Sequence, residues 1–181
     1  MIQICTFGKS GSYMLLEAIL NSGLQVCRIY NNGVDWNHQY PDSIYGSKVI
    51  FIYADPCQVV MSVEEHDDDW VKQHYGNLRG DISNYRNHNV DSLNLENMFI
   101  AFMQPQNFPM LSLKYECLWE NVDIISEFVG RDIVLPQKKC RYREPTPELV
   151  KTYSRLKRYM NLFESAKIWQ INDNPELLDN N

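Results

Sequence analysis

The chain has no long hydrophobic run, no cysteines at metal or redox spacing and no excess of basic residues, and each absence removes a class of protein. None of its apolar stretches approaches transmembrane length, and the opening MIQICTF has neither a basic n-region nor an apolar h-region. A cytoplasmic protein without a membrane partner is therefore expected. The five cysteines (Cys5, Cys27, Cys57, Cys117, Cys140) are odd in number and widely spaced, with no CxxC, so neither a zinc ribbon nor a disulfide scaffold is indicated. Buried free thiols are the expectation. Lys and Arg number 17 against 23 Asp and Glu, a formal net charge of -6, which argues against a general nucleic-acid binder. No internal repeat or low-complexity linker is present. What remains is an ordinary globular composition, 44% hydrophobic and 22% charged over 181 residues. A single domain over residues 1–170 is expected, with an acidic, disordered tail over 171–181.

The chain is organised around its first twenty residues. Residues 2–7 are apolar and β-prone, GKSGS follows at once, and an apolar helical segment runs from Tyr13 to just before Gly23. A strand, a glycine turn and a helix N-terminus together make a phosphate cradle, because backbone N–H groups close on the anion and the helix dipole adds to them. Gly8 and Gly11 supply the turn, Lys9 a point charge, Ser10 and Ser12 hydroxyl donors, and Tyr13 the start of the helix. The nucleotide-kinase loop GxxxxGK[ST] does not match, since Gln3 stands where its first glycine belongs.

Further along, residues 24–30 (LQVCRIY) read as a second strand and residues 31–47 as a long polar loop. KVIFIY, residues 48–53, reads as a central parallel strand. Asp55 and Pro56 cap and open a helix that runs towards EEHDDDW. Residues 70–90 read mostly as loop. Asp91 caps a helix through Met103, residues 110–115 form a strand, and residues 119–129 form a helix closed by Gly130. Residues 133–135 suggest a short last strand, and Thr146-Pro147-Glu148 opens one long helix reaching Phe163. Strands alternating with helices predict a three-layer α/β domain of the P-loop type, with a central parallel sheet of about five strands. Ligands of such sheets bind at the carboxyl ends of the strands.

TFGKSGSY resembles the TYPKSGTTW loop of the sulfotransferases that use 3′-phosphoadenosine 5′-phosphosulfate (PAPS), and KVIFIYADPCQVVMS resembles their strand followed by RxPxxxxxS. LSLKYECLWENVDIISEFVG is similar to the family's strand–YExL–helix–FLG segment, which is structural. The likeness spans most of residues 1–130. It implies PAPS as cofactor, no metal, sulfuryl transfer to a hydroxyl or amine of a small molecule or glycan, Lys9 and its loop on the 5′-phosphosulfate, and Ser62 on the 3′-phosphate. Ala54 stands where the family has the arginine that grips that phosphate, and alanine offers no donor. Lys138, Lys139, Arg141 and Arg143 form a basic loop that reads either as solvated charge or, like the family's C-terminal basic segment, as a clamp on the 3′-phosphate.

Sulfuryl transfer calls for a general base on the acceptor and cationic stabilisation of the leaving nucleotide. His38, in WNHQYP, is similar in place to the family's catalytic histidine, and a surface histidine in a loop is the competing reading. Lys9 suits the leaving group. His66, His74 and His88 have weaker claims. Glu64 and Glu65 are fallback bases, and the acids through Asp69 read as a solvated helix end. Two other readings stay open. One is a kinase-like phosphotransferase with Asp55 as magnesium ligand, and the other a nucleotide-binding interaction protein that has lost catalysis.

Overall fold

The computed structural model describes residues 2–24, 30–31, 34–35, 38, 40–44, 48–138 and 142–173. Its strands are β1 (Ile2–Thr6), β2 (Tyr30–Asn31), β3 (Val34–Asp35), β4 (Lys48–Tyr53), β5 (Met110–Lys114) and β6 (Ala166–Trp169). Its α-helices are α1 (Ser12–Asn21), α2 (Pro56–Val63), α3 (Asp68–Tyr75), α4 (Leu95–Phe102), α5 (Val122–Val129), α6 (Pro147–Thr152) and α7 (Ser154–Met160). The main sheet has four strands in the order β1-β4-β5-β6, of which β1, β4 and β5 are parallel and β6 runs antiparallel to β5.

β4 is apolar along its whole length because both of its faces are covered. Val49, Phe51 and Tyr53 enter one hydrophobic cluster with Val59 and Val60 of α2, Phe99 and Phe102 of α4, and Leu149 and Leu156 of α6 and α7. Ile50 and Ile52 enter the other, with Leu15 and Ile19 of α1 and Ile125 and Phe128 of α5. The strand period of two thus sorts one hexapeptide into two cores, and the fold is α/β with helices on both faces. Phe51 stacks on Phe102 at 4.0 Å between ring centroids. Each such side chain, fully removed from water, contributes roughly 1.5–3 kcal/mol.

Several expectations need correction. The described main sheet has four strands, not about five, and is not wholly parallel. The last strand is β6, not residues 133–135, which carry no strand pairing. Of the second expected strand, residues 25–29 lie outside the described residues; Tyr30 pairs with Asp35 in a separate two-stranded antiparallel sheet. The residues read as a solvated helix end and loop contain α3. Asp67 caps it by accepting from the Trp70 N–H at 2.8 Å, with Asp68 and Asp69 in its first turn. Those acids therefore sit at a positive dipole end, where they stabilise, while α2 stops at Val63. The long C-terminal helix is two, α6 and α7, meeting at Tyr153. The expected tail lies outside the described residues from 174 on.

Because β1, β4 and β5 are parallel and in register at Thr6, Ile52 and Leu113, their carboxyl ends share one edge. The GKSGS loop, the Ala54 turn and the segment after Lys114 are gathered there. Among the described residues, no helix is long and apolar enough to cross a membrane.

Candidate functional site

The loop joining β1 to α1 is held in a left-handed backbone at three positions: Gly8 (φ 84), Lys9 (φ 52) and Gly11 (φ 72). Position 8 requires glycine for a second reason. A Cβ there would meet the Tyr75 hydroxyl at 2.0 Å and His38 Cε1 at 3.0 Å. Lys9 is left-handed without being glycine, which costs about 1–2 kcal/mol and marks a place where backbone strain is tolerated. Thr6 fastens the turn, its Oγ1 accepting from the Gly8 N–H at 2.9 Å. Gly11 caps α1 with no side-chain hydrogen bond to the first-turn amides. Ser10 is buried, and its hydroxyl has no hydrogen-bond partner. Ser12 is half-buried and Tyr13 lies exposed at the rim. A left-handed turn leading into a helix N-terminus, with a lysine and an unpartnered hydroxyl on it, fits a phosphate-like anion.

Two clefts flank this loop, and Lys9 lines both. The first, about 410 Å³, is bounded also by Gly11, Ser12, His38, Trp70 and His74. His38 is not the surface histidine of the competing reading: it is 8% exposed and stacks on Tyr75 at 4.9 Å. Its Nδ1–H donates to the Thr6 carbonyl at 3.0 Å, which fixes the tautomer and leaves Nε2 as the acceptor. Burial, more than the nearby positive charges of His74 and Lys9, pushes its pKa down to about 4, against the Thr6 carbonyl, which raises it. Lys9 places its ammonium 4.4 Å from the centre of a Trp70 ring. Although the residue is exposed, crowding around the ammonium holds its pKa below the ordinary lysine range, with Glu65 opposing. Trp70 in turn stacks on His66 and His74, at 3.8 and 4.0 Å.

The second cleft, about 380 Å³, runs from Lys9 along the start of α2 and includes Ala54, Ser62, Glu116 and Lys138. Ser62 is half-buried, with no hydrogen-bond partner among the described residues. Asp55 is fully engaged: Oδ1 accepts from the Cys57 N–H at 2.9 Å and Oδ2 from Lys157 at 2.7 Å. Glu116 reaches back across the edge, its Oε1 accepting from the Asp55 N–H at 2.8 Å, while its Oε2 is buried without a partner.

The structure thus brings Gly8, Lys9, Ser10, Gly11, Ser12, Tyr13 and His38 together on one side, and Lys9 and Ser62 on the other. Arg143 is placed differently. Its guanidinium donates to the Met61 carbonyl at 2.6 Å and pairs with Glu65 at 2.5 Å, and it is not among the residues lining the second cleft. Arg141 lies outside the described residues. His88 bridges Glu64 (2.7 Å) and Thr146 (2.9 Å), away from both clefts. Among the described residues, no group of three or more His, Cys, Asp or Glu could hold a metal ion. Trp70 falls in the stretch expected to be loop, and Glu116 in the segment whose resemblance is structural. The run Asp67-Asp68-Asp69, an N-cap followed by first-turn acids, was the signal that would have placed Trp70 on a helix beside the loop. The chain matches no family model, no curated protein and no solved structure.

Proposed function

We propose that this chain transfers a sulfuryl group from a nucleotide 5′-phosphosulfate, PAPS in the resemblance, to a hydroxyl or amine of a small molecule or glycan. One observation carries the reading: Lys9 lines two clefts at once, with His38 in one and the β4–α2 turn in the other. A transferred group must pass between a donor site and an acceptor site, and a cation at their junction is where leaving-group charge is best met.

The loop fits the 5′ end of such a nucleotide, with its left-handed backbone, the unpartnered Ser10 hydroxyl and the uncapped first turn of α1. The part of the second cleft that would meet a 3′-phosphate fits less well, since Ala54 has no donor and Arg143 is already paired. When bound, the nucleotide supplies an activated sulfuryl group. The chain's own residues do the rest. The acceptor oxygen forms its bond to sulfur as the bond to the nucleotide phosphate breaks, and its proton goes to His38 Nε2. Lys9 and the loop amides hold the charge left on the nucleotide. His38, pushed down to about 4, is unprotonated across the neutral range. An anion bound beside it raises its basicity when a proton has to be taken.

The test is Lys9→Ala. Affinity for adenosine 5′-monophosphate, measured by calorimetry, is expected to fall by about tenfold or more, the worth of a charge-assisted contact. The unfolding midpoint should hardly move, because Lys9 is exposed. Unchanged affinity removes the loop from the nucleotide site. A binding protein without transfer is the second reading, favoured by the engagement of Arg143 with Glu65; it predicts nucleotide binding with no sulfuryl transfer to any acceptor. The engagement of both Asp55 oxygens weakens the magnesium-dependent reading.

A further inference from the structure

We infer that Trp70 is a positioning residue for Lys9: its indole is a platform that keeps the ammonium on the side of the first cleft. The inference rests on the reading of Lys9 and its loop as the 5′-phosphate site.

A lysine is a loose tool where a charge has to stand at one point. Its ammonium rides on a flexible four-carbon stem, and ordering that stem costs free energy at the moment of binding. Lys9 is exposed, and its main chain is already fixed in the left-handed region at φ 52. Only the tip remains to be placed. Among the described residues no carboxylate forms an ion pair with it; Glu65 attracts it from a distance and is itself paired with Arg143. Trp70 supplies a hold instead, with the ammonium 4.4 Å from the centre of a ring.

The platform is itself fixed at three points. The Trp70 N–H donates to the Asp67 carboxylate at 2.8 Å, and the Trp70 carbonyl accepts from His74 Nδ1–H at 2.8 Å. Its side chain stacks on His66 and His74 at 3.8 and 4.0 Å, each pair of rings 18° from parallel. Residues 66, 70 and 74 are spaced by four, which sets their side chains in one row. Trp70 lines the first cleft and is not among the residues lining the second, whereas Lys9 lines both. The indole therefore biases the charge towards the cleft that holds His38. An ammonium has three donors, so it can meet phosphate oxygens without leaving the ring.

Two measurements test this, and neither needs turnover. In proton NMR the ε-methylene resonances of Lys9, assigned by their loss in Lys9→Arg, are expected upfield of those of the other lysines, because the indole ring current shields them. They should return to the ordinary position in Trp70→Leu and stay upfield when the wild type is saturated with adenosine 5′-monophosphate. No upfield shift in the wild type, or its disappearance in the bound form, overturns the inference and leaves the nucleotide site standing. The second measurement is calorimetry with the same nucleotide. Trp70→Leu should weaken it about three- to tenfold, the worth of having one rotamer-rich side chain already ordered. Trp70→Phe keeps a ring face and should lose less. In the Lys9→Ala background neither substitution should weaken binding further, whereas a merely structural role for Trp70, which also packs against the larger hydrophobic cluster, would give the same loss in both backgrounds. Equal losses therefore overturn the inference. Should Trp70→Leu fail to fold, Trp70→Phe with Lys9→Ala completes the same cycle. If the wild type binds no adenosine 5′-monophosphate, the reading of the loop fails and the inference with it.

Discussion

His38 is the residue in which fold and chemistry are most tightly joined. Its ordinary pKa is 6.5, and burial lowers it to about 4 in the folded chain. Between those values the unfolded chain binds the proton that the folded one refuses, so stability is full above about 6.5 and falls as pH drops towards 4. At 1.36 kcal/mol per unit the loss approaches roughly 3 kcal/mol. In His38→Asn, which keeps a donor for the Thr6 carbonyl but does not titrate, the urea midpoint should decline less between pH 7 and pH 4.5. A decline equal to that of the wild type would assign the acid sensitivity elsewhere. In the reaction, His38→Ala should lower the rate by roughly two to four orders of magnitude, and nucleotide affinity should barely change. A turnover assay that finds full activity in this variant removes His38 as the base. His38 was legible only as a histidine in the right stretch of chain. Its burial was not, because the ring is covered by Tyr75, 37 residues away, and no local pattern announces that pairing.

At the scale of the element, the β1–loop–α1 unit and the β4–α2 unit were legible almost to the residue. Apolar runs of strand length, glycines and an Asp-Pro cap act locally, and local rules suffice there. They failed where tertiary contacts decide. The break at Tyr153 falls inside a regular helical stripe, and β6 is only four residues long, too short to stand out before its partner β5 is known. The loop itself is gripped from outside by α3, since the Tyr75 hydroxyl fills the space a Cβ at position 8 would need. Gly8→Ala should therefore cost about 2–4 kcal/mol, from a left-handed alanine together with overpacking. That hydroxyl is also buried without a partner. Tyr75→Phe is accordingly expected to be neutral or stabilising by about 1 kcal/mol and to relieve part of the Gly8→Ala cost. A double-mutant cycle read by urea unfolding checks this; strict additivity would mean that the two positions do not press on each other.

For the whole molecule, composition and alternation sufficed to indicate α/β layering, because a continuously apolar strand has to be covered on both faces. Neither could count strands or show that the final one runs antiparallel. That strand has a consequence in time. β1 and β6 belong to one sheet but lie about 160 residues apart, and no strand of that sheet pairs with a neighbour fewer than about 40 residues away. At roughly 5–20 residues per second, a ribosome needs about 10–30 s between finishing β1 and finishing β6. Once β5 has been made, its outer edge has no partner until β6 follows, and the cluster that holds Phe51 and Phe99 still lacks Leu156 and Trp169. The nascent chain should thus stay protease-sensitive at β4 until Trp169 is free of the exit tunnel, which for these 181 residues requires a C-terminal extension on the arrested chain or release from the ribosome. Limited proteolysis of ribosome-arrested chains of increasing length would reveal that step, and protection before α6 has emerged would show that the first strands fold without it. A chain built this way is exposed to aggregation while it is being made, and its yield should depend on the chaperones that meet it at the ribosome.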